Sequence, residues 1–179
     1  MLKVFLFIIS LLVLSVLLIV AVGYALPVEH VAARSIELRQ EPESVFALIS
    51  DFKNESAWRS DVQQVEILPE RDGHIRFREK SSHGSIAMRV VESSPPRRMV
   101  TEIDGQNLPF GGQWIFEILP NGDKCRLNIT ERGEVYNPVF RFVTRYILGY
   151  TGTMDGYLKS VARHLGESTA PVNGEIDEE

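Results

Sequence analysis

Three carboxylates fall in phase with apolar residues along strand-like runs. Glu79 shares its alternation with Ile75 and Phe77, Glu92 with Ile86, Met88 and Val90, and Glu131 with Leu127 and Ile129. A carboxylate on an inward apolar face is desolvated and keeps its proton to higher pH. It can then orient a polar head group or act as a general acid or base. The competing reading puts each one at a strand end, paired or wet at a rim, because an unpaired buried glutamate is rare. Aromatic residues supply the rest of a candidate ligand wall: Trp58, Phe77, Trp114, Phe116, Phe140, Tyr146, Tyr150 and Tyr157, with Met88 and Met154 as adaptable filling. Ordinary core packing accounts for most of these rings. The tyrosines add hydroxyls that can address a ligand while the ring packs.

Other chemistries find no support. The histidines at 30, 74, 83 and 164 have no i, i+4 partner and no neighbouring cysteine, so no local zinc motif exists and no metal is expected. There is no G-x-S-x-G elbow, P-loop or G-x-G-x-x-G fingerprint, hence no expected cofactor and no convergent set to name as catalytic. Cys125 is the single cysteine, which excludes an intrachain disulfide and reads as a small strand residue. The net charge of −5 reflects 19 basic and 24 acidic residues, and five of the acids sit in the last 13 residues. Without that tail and Lys3 the balance is 18 to 19, with the signs interspersed. A nucleic-acid backbone needs a clustered basic face, so nucleic acid is not an expected partner.

Whatever chemistry exists must be positioned by a core of about 140 residues, the commonest size for one domain. Before it, Val4 to Val22 is apolar apart from Ser10 and Ser15, long enough at about 1.5 Å per residue to cross a hydrocarbon core of roughly 30 Å. Residues 1–26 are expected to form a single-pass membrane anchor. Lys3 and the α-amino group favour a cytoplasmic amino terminus and an extracytoplasmic domain. A cleaved signal peptide is the rival, given Gly23 and Ala25, although the apolar run exceeds the usual length. Residues 167–179 read as an acidic, disordered tail.

Within 27–166 the signals are ordered. A strand over 31–39 precedes a short helix that Pro42 opens and that ends near Asp51, with Val45, Phe46, Leu48 and Ile49 as its apolar stripe. A second short helix covers Glu55 to Arg59. Strand-like runs follow at 62–69, 74–81, 85–92, 98–104, 112–119 and 124–132, separated by Arg71-Asp72-Gly73, His83-Gly84, Pro95-Pro96, Asp104-Gly105 and Asn121-Gly122. Such short connections favour an antiparallel meander. Helical spacing from Val139 to Leu165 predicts one helix of about 28 residues capped by Asn137, weakened at Gly149, Gly152 and Gly156 by about 1 kcal/mol each. The glycines mark a kink, a close helix–sheet contact or a hinge beside a cavity. The result is an α+β helix-grip fold, a curved antiparallel sheet of six to seven strands around a long C-terminal helix.

Several motifs carry a resemblance. Pro42, Val45, Phe46, Leu48, Ile49, Asp51 and Phe52, followed by Trp58, resemble the opening of the START-like (SRPBCC) superfamily. Pro95-Pro96-Arg97-Arg98, the Trp114-x-Phe116-x-x-x-Pro120 run, and Gly122 through Arg126 and Thr130 to Glu134 are similar to its polyketide cyclase/dehydrase and lipid-transport branch. The resemblance spans residues 31–166 and implies a cavity between sheet and helix. The expected function is membrane-tethered binding or transfer of a hydrophobic small molecule that is lipid, quinone-like or polyketide-like. A cyclase/dehydrase-type enzyme or a filled-core protein-interaction module are the alternatives, and binding is favoured over catalysis.

Overall fold

The computed structural model describes residues 1–82, 84–105 and 108–176. His83, read as a turn residue, and the last three residues of the tail lie outside them. Helix α1 (Leu2–Ala25) is the one helix among the described residues long and apolar enough to cross a membrane, a property shared by membrane spans and signal sequences. Strand β1 (Glu29–Leu38) leads into α2 (Pro42–Ser50) and a 3₁₀ turn (Phe52–Ala57). Pro42 at the first helical turn and Glu43 beside the positive dipole end start α2, whose Val45, Phe46 and Ile49 are buried.

Strands β2 (Val62–Arg71), β3 (His74–Ser81), β4 (Gly84–Ser94), β5 (Arg98–Ile103), β6 (Phe110–Asn121) and β7 (Lys124–Val135) form the expected antiparallel meander. The β2–β3 hairpin turns on Asp72 and Gly73, both at positive φ, the twist that suits a two-residue connection. Strand β1 pairs with β7, from Glu29 opposite Glu134 to Leu38 opposite Cys125, so the first strand completes the sheet beyond the last. A further short strand, β8 (Val172–Asn173), adds to the free edge of β1 and brings the sheet to eight.

That eighth strand comes from the segment expected to be a disordered tail. Arg34 donates to Asn173 Oδ1 at 2.6 Å, Asn128 Nδ2 donates to the Glu175 carbonyl at 2.9 Å, and Arg126 reaches the Glu175 carboxylate at 3.3 Å. The acidity that suggested a solvated end instead meets basic and amide groups on β1 and β7.

The long C-terminal helix is in two pieces. Helix α3 (Pro138–Val143), capped by Asn137 Oδ1 at 2.9 and 3.1 Å, runs into a π-helical turn (Thr144–Leu148). At Gly149 φ is +74°, a conformation that favours glycine, and a new helix α4 (Gly152–His164) starts beyond it. Helix α4 lays Met154, Leu158 and Val161 against Ile36, Leu38, Leu127 and Ile129 of the sheet, with α2 closing the core. A Cβ at Gly152 or Gly156 would touch nothing within 4 Å, so a tight helix–sheet contact does not explain those two glycines.

Candidate functional site

Between α4, the 3₁₀ turn and the concave face of β3–β7 lies a cavity of about 720 Å³. The interior is therefore open rather than filled by side chains. Its apolar wall includes Phe52, Phe77, Met88, Met99, Phe116 and the rings of Trp114 and Tyr157. Exposed Gly152, Thr153 and Gly156 of α4 face exposed Ser82 and Gly84 of the β3–β4 hairpin across its mouth. A smaller hollow of about 500 Å³ at the β5–β6 connection has polar walls that include Glu102, Arg132 and Glu134, which suit an apolar molecule poorly.

One end of the cavity holds a buried charge cluster. Glu55 and Arg59 are one helical step apart across the 3₁₀ turn, and Arg59 Nη1 donates to Glu55 Oε1 at 2.7 Å. The same guanidinium donates to Asp61 at 2.6 Å and to Glu79 Oε1 at 3.2 Å, with its central carbon 5.1 Å from the centre of the Tyr157 ring. Glu55 is 3% exposed, and among the described residues its second oxygen has no hydrogen-bond partner. Burial, then the neighbouring Glu79 charge, pushes the Glu55 carboxyl up to about 7 against the pull of Arg59. Burial would lift Asp61 too, but its hydrogen bonds from Arg59 hold it below the ordinary range. Burial, helped by Glu55, raises the Tyr157 phenol well above its usual value, so it stays a neutral donor.

The remaining carboxylate of the wall is satisfied. Glu131 accepts from Trp114 Nε1 at 2.8 Å and pairs with His30 Nε2 at 3.0 Å, while the His30 ring stacks on Tyr150 at 3.9 Å. Gly133 makes room for this, since a Cβ there would run into the His30 ring. Beside it Gly112, at φ +124°, lets the backbones of β6 and β7 approach where a Cβ would strike the Arg132 carbonyl.

Of the thirteen residues singled out by sequence, Phe77, Glu79, Met88, Trp114, Phe116, Glu131 and Tyr157 are brought together at this wall. Trp58 and Met154 are buried behind it, Trp58 standing edge-on to Tyr157 at 5.3 Å. Phe140 and Tyr146 are not wall residues: they lie before the Gly149 break, on α3 and the π turn, and are exposed. Tyr150 falls in the break and meets the site only through His30. Glu92 is displaced by a bulge. Val90 pairs with Thr101 but Glu92 with Val100, so the extra residue inverts the strand phase and Glu92 turns outward to Arg98 at 3.2 Å.

Sequence reasoning missed Glu55 and Arg59. Their one available signal was the i, i+4 spacing around Trp58, which is also the spacing of an ordinary surface ion pair. Among the described residues no group of three or more His, Cys, Asp or Glu side chains could hold a metal ion.

Comparison with known proteins agrees with this architecture. A conserved protein from Geobacillus kaustophilus superposes with a TM-score of 0.64 at 17% identity, over 79% of this chain and 99% of that one. A START superfamily protein from Mycobacterium smegmatis gives 0.60 at 17%, over 76% and 97%. The Zhui aromatase/cyclase from Streptomyces sp. R1128 gives 0.63 at 10%, over 77% and 94%. At these identities the likeness is one of fold. No curated protein matches the chain. Residues 29–166 do match a family as a sequence, and the chain belongs to it: the polyketide cyclase / dehydrase and lipid transport family.

Proposed function

We propose that this chain is a membrane-tethered carrier that binds a hydrophobic small molecule in the cavity and exchanges it with the adjacent bilayer. The observation that carries the reading is the open, largely apolar cavity whose mouth runs along the exposed glycines of α4. Tethering shortens the path of an apolar ligand through water, which opposes exposure by about 0.8 kcal/mol per methylene.

The lower end of α1 supports a retained anchor. Gly23 is buried against the Pro138 backbone, and Arg141, 7% exposed, donates to the Leu26 carbonyl at 2.7 Å. A segment destined for cleavage has no need of such a seat. Next to that seat, Phe140, Tyr146, Ile147 and Leu148 are exposed, an apolar surface suited to the headgroup boundary of the bilayer that α1 enters. By the charge rule the domain is on the extracytoplasmic side, with the amino terminus inside.

A second reading, a cyclase- or dehydrase-type enzyme, draws on Glu55, whose carboxyl titrates near neutrality at the cavity wall and suits general acid–base work.

The test is loading. Full-length protein extracted in native nanodiscs is expected to release one apolar molecule per chain on denaturation, detected by mass spectrometry. Gly156→Trp, at a position where an added Cβ meets nothing within 4 Å, should lose that molecule while unfolding at nearly the same denaturant concentration. An empty wild-type protein that also takes up no added lipid would remove the carrier reading.

A further inference from the structure

The unpartnered oxygen of Glu55 has no explanation inside the protein. The side chain is nearly sealed from solvent, Oε1 is occupied by Arg59, and among the described residues Oε2 has no hydrogen-bond partner at the wall of the cavity. Leaving a buried polar atom unpaired is costly, so a group that supplies a hydrogen bond there is held in proportion. Asp61 and Glu131 have both oxygens served from within, and Glu79, which is more exposed than Glu55, has one. Arg59 donates to both oxygens of Asp61, at 3.3 and 2.6 Å, and to Glu79. Glu131 has one oxygen on His30 and the other on Trp114.

Charge narrows the choice further. Among the described residues, the wall carries four carboxylates, Glu55, Asp61, Glu79 and Glu131, against the single guanidinium of Arg59, and that guanidinium is already shared three ways. A carboxylate or phosphate head group entering this space finds no free cation, meets like charge in a low-dielectric site, and leaves Oε2 unpaired. Above about pH 7, where Glu55 is charged, a hydroxyl or ammonium group meets an acceptor waiting for it and a favourable field.

Resting on the reading of the cavity as a ligand site, we propose that it selects apolar molecules that end in a hydrogen-bond donor, an alcohol or an amine. The donor sits on Glu55 Oε2, and amphiphiles with an acidic head are rejected. The chemical class is therefore a long-chain or polycyclic alcohol or amine, and fatty-acid-like and phosphate-bearing lipids fall outside it.

Fluorescence tests this on the full-length chain in nanodiscs. Trp58 and Trp114 are the two tryptophans of the sequence, one at the cavity wall and the other behind it, so a brominated probe that enters quenches them. The probes are a dodecyl series brominated on the chain, bearing no head group, an alcohol, an amine or a carboxylic acid, with each dose expressed as mole fraction in the bilayer. The alcohol and the amine are expected to quench at doses about tenfold or more below the acid. Glu55→Gln, which keeps the volume, should weaken the amine about tenfold and draw the acid towards it, with circular dichroism confirming the fold. If the head-free probe quenches but the acid matches the donors, or the variant leaves the order unchanged, the head-group preference is overturned and the cavity reading stands. Absence of quenching by any probe, the head-free one included, overturns both. The amine and alcohol arms separate an ion-paired ligand from a neutral one.

Discussion

Residues 138–148 and 152–164 each present apolar side chains at helical spacing, and only the second set is covered. In α4, Met154, Tyr157, Leu158 and Val161 sit at i, i+3, i+4 and i+7 and are almost wholly buried against the sheet. In α3 and its π turn, Phe140, Tyr146, Ile147 and Leu148 are exposed, and the side chain that is buried is a charged one, Arg141. Gly149 separates the two fates by turning the chain at positive φ. Periodicity announces that a face wants cover without saying what will cover it. For α4 the cover is the sheet, and for α3 the nearest apolar partner is the end of α1.

The comparison breaks most visibly at Leu158. Leu158→Ala removes a fully buried side chain and is expected to cost about 2–5 kcal/mol by equilibrium denaturation. A loss under about 1 kcal/mol would mean that α4 is no more integral to the domain than α3.

Acid–base behaviour separates the halves again, because Tyr157 of α4 packs over the Arg59 guanidinium that holds Glu55. Around Glu55 stand Arg59, Asp61 just ahead of β2, Glu79 of β3 and the Tyr157 phenol. Its carboxyl is raised from 4.5 to about 7 on folding, so the folded state holds the proton more tightly than the unfolded one and carries the charge only above about pH 7. That contribution to stability is complete below pH 4.5 and is lost as pH rises towards 7, after which it is constant. Glu55→Gln removes the dependence. Relative to wild type, the variant should gain up to about 3 kcal/mol between about pH 5 and 8, read from denaturation midpoints. A constant difference across that range would show that the buried cluster holds Glu55 charged throughout.

Strands and turns were legible because their signals are local. Alternation located every strand of the meander, and glycine with aspartate or asparagine marked the tight turns. Glu79 and Glu131 lie on the concave face as their phase required, whereas one bulged residue near Val91 turned Glu92 away. The rest depended on partners distant in sequence. Glu55 and Arg59 read as surface charges until Glu79, 20 residues after Arg59, and Tyr157 enclose them. Of three glycines in one helical pattern, Gly149 alone adopts positive φ, and nothing local distinguishes it from Gly152 or Gly156. The tail docks because β1 offers an open edge and β7 offers Asn128, neither visible from its own acidic composition.

The smallest expected effect on stability sharpens the comparison most. Ile147 is 68% exposed, so Ile147→Cys should change the denaturation midpoint by no more than about 0.5 kcal/mol, as should Lys159→Cys on the solvent side of α4. Both can be labelled selectively, because Cys125 is buried and burial pushes its thiol up to about 11, leaving little thiolate to react. With a fluorophore on each cysteine and the full-length chain in nanodiscs containing brominated lipid, quenching is expected at 147 and not at 159. The physical reason is continuity: with α1 in a bilayer as proposed, α3, seated on its end through Gly23 and Arg141, would carry the apolar side chains beyond it to the bilayer surface, while the charged Lys159 beyond the Gly149 break would stay in water. Equal quenching at the two positions, or none at 147, would leave the exposed face of α3 without a membrane to cover it and would remove the bilayer from the account of how ligand reaches the cavity.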